Sequence, residues 1–164
     1  MSSQTTLNGT TAKLLAAFCK SAEQVYETMV FTKVTCGLPL IKKEHFPCGA
    51  ISGTIGITSS LFAGRLSLVF SQETAEKSFR SMMMMGDTDP VNESEMKDAV
   101  GELANMVAGG AKADLQAQGI DYVISLPTVV VGKDHCLESP KGCETMVIPA
   151  KIGDGEFFVE FAIS

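Results

Sequence analysis

The apolar residues of this chain keep two different rhythms, and the places where the rhythm changes constrain the fold class. Leu14, Phe18, Ala22, Val25 and Met29 recur at three- and four-residue spacing. That spacing stacks them on one face of a helix predicted over Thr10 to Phe31. From His45 to Phe70 the period drops to two. Ile51, Ile55 and Ile57, then Leu66, Leu68 and Phe70, alternate with small or polar residues, as side chains on one face of a strand do. Gly, Ser and Thr between Thr58 and Gly64 supply the turn, so this stretch reads as a β-hairpin. A short strand is predicted between them, over Val34 to Pro39. A shorter helix follows from Gln72 to Met85 with Ser71 as its N-cap, then a loop over Gly86 to Pro90. A long helix runs from Glu93 to Gln118 and stops near Gly119. Three strands close the chain, over Tyr122 to Val131, Thr145 to Ile152 and Glu156 to Ile163. Pro127 makes the first of these an edge, a bulge or two pieces. The pattern predicts an α+β domain in which two long helices and a shorter one pack on an antiparallel or mixed sheet with hairpins. At 164 residues one domain is expected over 1–164, with residues 1–10 as a flexible tail.

Charge narrows the partners. Thirteen Lys and Arg against 19 Asp and Glu leave a net charge of −6, which argues against nucleic acid and anionic membranes as ligands. The longest apolar run, Leu14 to Cys19, is far shorter than a membrane span, and Met1 to Thr11 is polar and uncharged, unlike a signal peptide. The chain therefore reads as cytoplasmic. Cys19, Cys36, Cys48, Cys136 and Cys143 include no CxxC pair, so they are expected to be reduced thiols, and no metal site is predicted in this chain. Familiar nucleotide, zinc and nucleophile-elbow motifs are absent from the sequence. His45 and His135 read as surface or strand-end residues. The run Met82 to Met85 leaves two readings open, core packing at a helix end or a partner groove.

The long helix carries the most informative pattern. At about 100° per residue, Met96, Val100, Leu103, Val107 and Ala111 form a core face. Asp98, Glu102, Asn105, Gly109 and Lys112 form a stripe on the opposite side. Glu102 and Asn105, three apart, are surface neighbours with Cβ atoms about 5–6 Å apart. Each helix-interior glycine costs about 1 kcal/mol against alanine, so Gly101, Gly109 and Gly110 need reasons. Close approach of another surface is one for Gly109, and tight helix–sheet packing is one for Gly101 and Gly110.

The segment Asp98-Ala-Val-Gly-Glu102-Leu-Ala-Asn105-Met-Val-Ala-Gly109 resembles the helix motif of the CheC/CheX family of chemotaxis phosphatases. The likeness extends to Phe70-Ser-Gln-Glu-Thr-Ala-Glu-Lys77, to Met82–Gly86, to Ser125-Leu-Pro127-Thr-Val-Val-Val-Gly132 and to Val25-Tyr26-Glu27-Thr28-Met29, the last similar to the CheX branch. The resemblance covers about residues 20 to 163. It implies a CheC-like fold and a phosphatase acting on the aspartyl phosphate of a CheY-like response regulator. It assigns catalysis to Glu102 and Asn105 and contact with the regulator to Asp98, Gly109 and Lys112. Asn105 would orient the attacking water, and Glu102 would pair with the regulator's active-site lysine. No cofactor is implied in this chain, the Mg2+ being carried by the regulator.

The same resemblance frames an internal comparison. CheC-type members carry the motif on two helices and CheX-type members on one. Placing Glu23 on Glu102 puts Tyr26 where Asn105 stands, Cys19 where Asp98 stands and Val30 where Gly109 stands. A phenol lacks the paired acceptor and donors of an amide, so one site per chain is expected, with Glu23 and Tyr26 as surface residues. The alternative to catalysis is a non-catalytic CheX-like adaptor or dimerising module. The resemblance implies a homodimer, the CheX branch being dimeric through its sheet. The last strand, apolar on both faces with Phe157, Val159 and Phe161 on one and Phe158 and Ala162 on the other, reads as covered or paired rather than a free edge.

Overall fold

A computed structural model describes residues 9–164. Helix α1 spans Gly9–Val25 and continues as a π-helical turn, Tyr26–Val30. Two short strands follow, β1 (Thr35–Cys36) and β2 (Leu40–Ile41). Next come the hairpin β3 (Gly49–Thr58) and β4 (Ala63–Phe70), then helices α2 (Gln72–Met82), α3 (Glu93–Gly110) and α4 (Lys112–Gln116). Strands β5 (Val123–Ile124), β6 (Thr128–His135), β7 (Glu144–Ile152) and β8 (Gly155–Ile163) complete the chain. Every strand pairing is antiparallel, in the order β1-β7-β8-β4-β3-β5, with β2 also on β7 and β6 also on β3. The fold is thus the expected α+β one, with a purely antiparallel sheet. Among the described residues no helix is long and apolar enough to cross a membrane.

The period-two residues set the layers of the core. Leu68 lies opposite Val159, which lies opposite Ile148, and Phe70 lies opposite Phe157. All five are fully buried on the face covered by the helices. Phe157 stacks between Phe70 and Tyr26, with ring centroids 5.0 and 4.9 Å away. Ser71 caps α2 as expected, accepting the Thr74 N–H at 3.1 Å. Met82 and Met85 pack on the core, while Met83 and Met84 are exposed.

Several expectations need correction. Gly9 and Thr10 already belong to α1, so helix replaces the end of the expected tail, whose residues 1–8 lie outside the described residues. Along α1 the apolar stripe holds through Ala22 and then shifts. Tyr26 and Val30 are buried and Met29 is exposed, because the wider π turn rotates the phase. The long helix is two pieces, broken at Ala111. Pro127 likewise divides β5 from β6.

The expected set of five free thiols is also overturned, since Cys48 and Cys136 form a disulfide. The cause is strand register. Gly49 of β3 lies opposite His135 of β6, which brings the two flanking cysteines face to face, a proximity invisible in a separation of 88 residues. Cys19, Cys36 and Cys143 are free. The structure also encloses a charged pair. Lys42 Nζ meets Glu160 Oε1 at 2.5 Å, with both side chains almost fully enclosed. His135, at the end of β6, holds Ser52 Oγ at 2.7 Å.

Candidate functional site

Helix α3 is fixed along its length by contacts that leave one face open. Asn92 caps it, its side-chain oxygen accepting the Glu95 N–H at 3.0 Å. Met96, Ala99, Val100, Leu103, Ala104, Val107 and Ala108 are buried. Two glycines let the sheet come close. A Cβ on Gly53 of β3 would stand 2.8 Å from the Val100 carbonyl oxygen, and one on Gly101 would stand 3.2 Å from Val129 Cγ2 of β6. Gly110 packs against α1 rather than the sheet, since a Cβ there would meet Ser21 Oγ at 2.6 Å. Gly109 has open space beyond it, with nothing within 4 Å of such a Cβ.

The break at Ala111 has a chemical origin. Ser21 Oγ donates to the Val107 carbonyl at 2.7 Å, and the Tyr122 hydroxyl donates to the Ala108 carbonyl at 2.6 Å. Side-chain donors thus engage the last carbonyls of α3, next to two residues of low helix propensity. Ser21, Tyr122 and Gly53 position the helix and were not singled out in the sequence. A serine on the apolar face of α1 and a glycine inside a strand are the signals that pointed to them.

On this scaffold Asp98, Glu102, Asn105 and Gly109 share the outward stripe. Asp98, Glu102 and Gly109 are exposed and Asn105 is half-buried. Among the described residues no hydrogen bond or ion pair engages the side chains of Asp98, Glu102 or Asn105. Lys112 does not join them. It lies beyond the break, with its ammonium 3.9 Å from Asp121 Oδ1 and 6.0 Å from the Tyr122 ring centroid. Asp121 is held below the usual carboxylate range by hydrogen bonds from Gln116 and the Tyr122 N–H, aided by Lys112. Burial pushes the Tyr122 phenol up to about 12.

The first helix carries no copy of this face. Tyr26 is buried rather than exposed, its hydroxyl 3.0 Å from Ser78 Oγ, and burial pushes its phenol well above the usual range. Glu23 Oε1 accepts the Cys36 N–H at 3.2 Å. A cleft of about 830 Å3 beside α2, lined by Tyr26, Lys77, Arg80 and Glu156 among others, includes none of the stripe residues. The stripe lies on an open helix face, where another macromolecule can meet it.

A single antiparallel sheet backed by helices is the architecture of the CheC-like class. A CheC-like superfamily protein from Shewanella sp. PV-4 superposes with a TM-score of 0.85 at 28% identity, covering 96% of this chain and 99% of that one. The model of the family described as chemotaxis phosphatase CheX matches residues 51–151, and the chain belongs to that family. The CheY-P phosphatase CheX of Thermotoga maritima is 39% identical over 85 residues. That match spans about half of each protein, 52% of this chain and 54% of the relative. A CheX from Borrelia burgdorferi, solved as a complex with CheY, BeF3 and Mg2+, shares the fold at TM-score 0.73 and 24% identity, covering 91% of this chain and 96% of that one.

Proposed function

We propose that the chain is a phosphatase that hydrolyses the aspartyl phosphate of a CheY-like response regulator. The observation that carries this reading is the unpartnered Glu102–Asn105 pair, an exposed carboxylate and a half-buried amide on a helix whose opposite face is buried. The Thermotoga relative, named a CheY-P phosphatase, and the Borrelia CheX–CheY complex support the choice of substrate.

The acyl phosphate is already activated, so catalysis needs positioning and electrostatics more than covalent chemistry. The Asn105 amide accepts from and donates to one water, holding it in line with the phosphorus. The water oxygen bonds to phosphorus as the acyl P–O bond breaks. The regulator's aspartate leaves as a carboxylate, and inorganic phosphate and a proton are released. Glu102 pairs with the regulator's lysine and fixes the complex around Asn105. Asp98 adds negative charge one turn earlier, and Gly109 admits the regulator's backbone. Lys112, held on Asp121, stands at the rim of this contact. Mg2+ belongs to the regulator in this reading.

Two further parts of the reading concern setting. The chain acts in the cytoplasm, where its phosphorylated partner is found. It also pairs with a second copy. Strand β8 no longer supports this, because it is paired on both sides within the chain. The exposed Leu38, Leu40 and Ile41 beside the β2 edge do support it. Sedimentation at micromolar concentration checks the point, and a 17 kDa species alone contradicts it.

The central test mixes the chain with a panel of phosphorylated receiver domains and follows phosphate loss. Wild type accelerates loss from one of them. Asn105→Ala binds that receiver with acceleration reduced about a hundred-fold or more, and Glu102→Lys weakens binding. Hydrolysis by Asn105→Ala at the wild-type rate removes the assigned mechanism. Binding by wild type with no change in phosphoryl lifetime makes the chain an adaptor.

A further inference from the structure

The cysteines outside the disulfide are not equivalent. Cys19 and Glu23 are one turn apart on α1, and β1 runs along that face. The Cys36 N–H bonds to Glu23 Oε1 at 3.2 Å, and its residue pairs with Ala150 of β7, so Cys36 is held on two sides. Its thiol donates to the Cys19 carbonyl oxygen at 3.8 Å, which brings the Cys36 sulfur onto Cys19. Both residues are half-buried, so small solutes reach them. Cys143 is also free and half-buried, and it provides an internal reference.

We propose that Cys19 and Cys36 form a peroxide-responsive dithiol that closes to a second disulfide, between α1 and β1. The Cys36 S–H is engaged by the Cys19 carbonyl and so keeps its proton, and the neighbouring Cys19 thiol and burial push it up as well. The neighbouring Cys36 thiol draws the Cys19 thiol below its ordinary range, against burial and the nearby charge of Glu23. Cys19 is therefore the attacking thiolate and Cys36 the resolving thiol. The Cys19 thiolate takes one oxygen from the peroxide, giving a sulfenic acid and, from hydrogen peroxide, hydroxide. Cys36 sulfur then attacks the Cys19 sulfur, the S–O bond breaks, and the Cys36 proton leaves with that oxygen as water. Both sulfurs are oxidised by one electron and the peroxide is reduced by two. The new bond ties β1 to a helix whose Ser21, two residues on, holds the Val107 carbonyl of α3.

The experiment treats the folded full-length chain with a small excess of hydrogen peroxide, blocks the remaining thiols and maps the unreduced peptides. The expected product is a Cys19–Cys36 linked peptide, lighter by two hydrogens, with Cys19 reacting about ten-fold faster than Cys143. In Cys36→Ser the reaction stops at a sulfenic acid on Cys19, trapped by dimedone. The wild-type map stands even if that variant folds poorly. The proposal is overturned if Cys19 and Cys36 remain alkylatable under conditions that oxidise Cys143. It is equally overturned if the link appears only in urea.

Discussion

Helices α1 and α3 pack against each other on the same side of the sheet, and each carries a glutamate with a polar residue three positions later. In α1 the fold has used both. Glu23 accepts a backbone N–H of β1, and Tyr26 is buried in a ring stack with a bonded hydroxyl. In α3 it has used neither, and Glu102 and Asn105 face outward with their hydrogen-bonding capacity intact. The difference lies in what covers each helix. Strand β1 and α2 close over the end of α1, whereas α3 turns its stripe away from every neighbour. A carboxylate becomes available for chemistry when the fold leaves it unengaged, and residue type alone does not tell the two apart.

The contrast makes the two polar positions fail in different ways. Tyr26→Ala removes a fully buried aromatic ring and is expected to cost about 3–5 kcal/mol of stability, read by urea denaturation, while the folded fraction keeps the proposed phosphatase activity. Asn105→Ala is expected to change stability by less than about 0.5 kcal/mol while activity collapses. A stable Tyr26→Ala protein, or an unfolded Asn105→Ala one, breaks the comparison.

A third carboxylate extends the scale. Glu160 is more enclosed than Glu23, and burial holds its carboxyl above the usual range against the pull of Lys42. The fold thus favours the protonated form. Stability from this group is complete below the ordinary carboxylate pKa and is lost as pH rises through the raised value. Denaturation of Glu160→Gln at a series of pH values should show that slope removed. An unchanged slope would place its origin elsewhere.

Much of this arrangement was readable in the sequence because local rules and tertiary packing agree there. The hairpin alternates as its strands do, Ser71 caps where a hydroxyl fits, and the core and open faces of α3 separate cleanly through Gly109. The reading failed where long-range contacts override local preference. The π turn at Tyr26 answers to Phe157, more than a hundred residues away. The break at Ala111 answers to Ser21 and Tyr122, and Lys112 lies just beyond it, near Asp121. The Cys48–Cys136 bridge follows from β3–β6 register, which no spacing rule reports. Gly101 packs against Val129 of the sheet, as a glycine inside a helix suggests, whereas the neighbour of Gly110 is Ser21 of the first helix.

Position and engagement can be separated within α3 itself. Gly53→Val would drive a side chain into the Val100 carbonyl, costing about 1–3 kcal/mol as overpacking does, and would displace the helix that carries the site. Ser21→Ala is milder. It leaves the Val107 carbonyl with one donor fewer, worth about 1 kcal/mol. If α3 acts by holding Asn105 in place, Ser21→Ala should lower the turnover of bound phosphorylated regulator more than it lowers binding.

The smallest effects discriminate best between the two helices. Glu23→Gln and Glu102→Gln are matched substitutions that keep shape and remove charge. Glu23→Gln retains an oxygen for the Cys36 N–H, so its stability should fall by no more than about 0.5–1.5 kcal/mol, with receiver binding untouched. Glu102→Gln should leave stability unchanged, because nothing within the chain depends on its charge, and should weaken binding of the phosphorylated receiver. Raised salt should narrow the gap between wild type and Glu102→Gln by screening the lost attraction, and should leave Glu23→Gln and wild type equal. Equal binding by both variants at low salt would mean that the open carboxylate is solvated surface, and that the regulator docks elsewhere on the molecule.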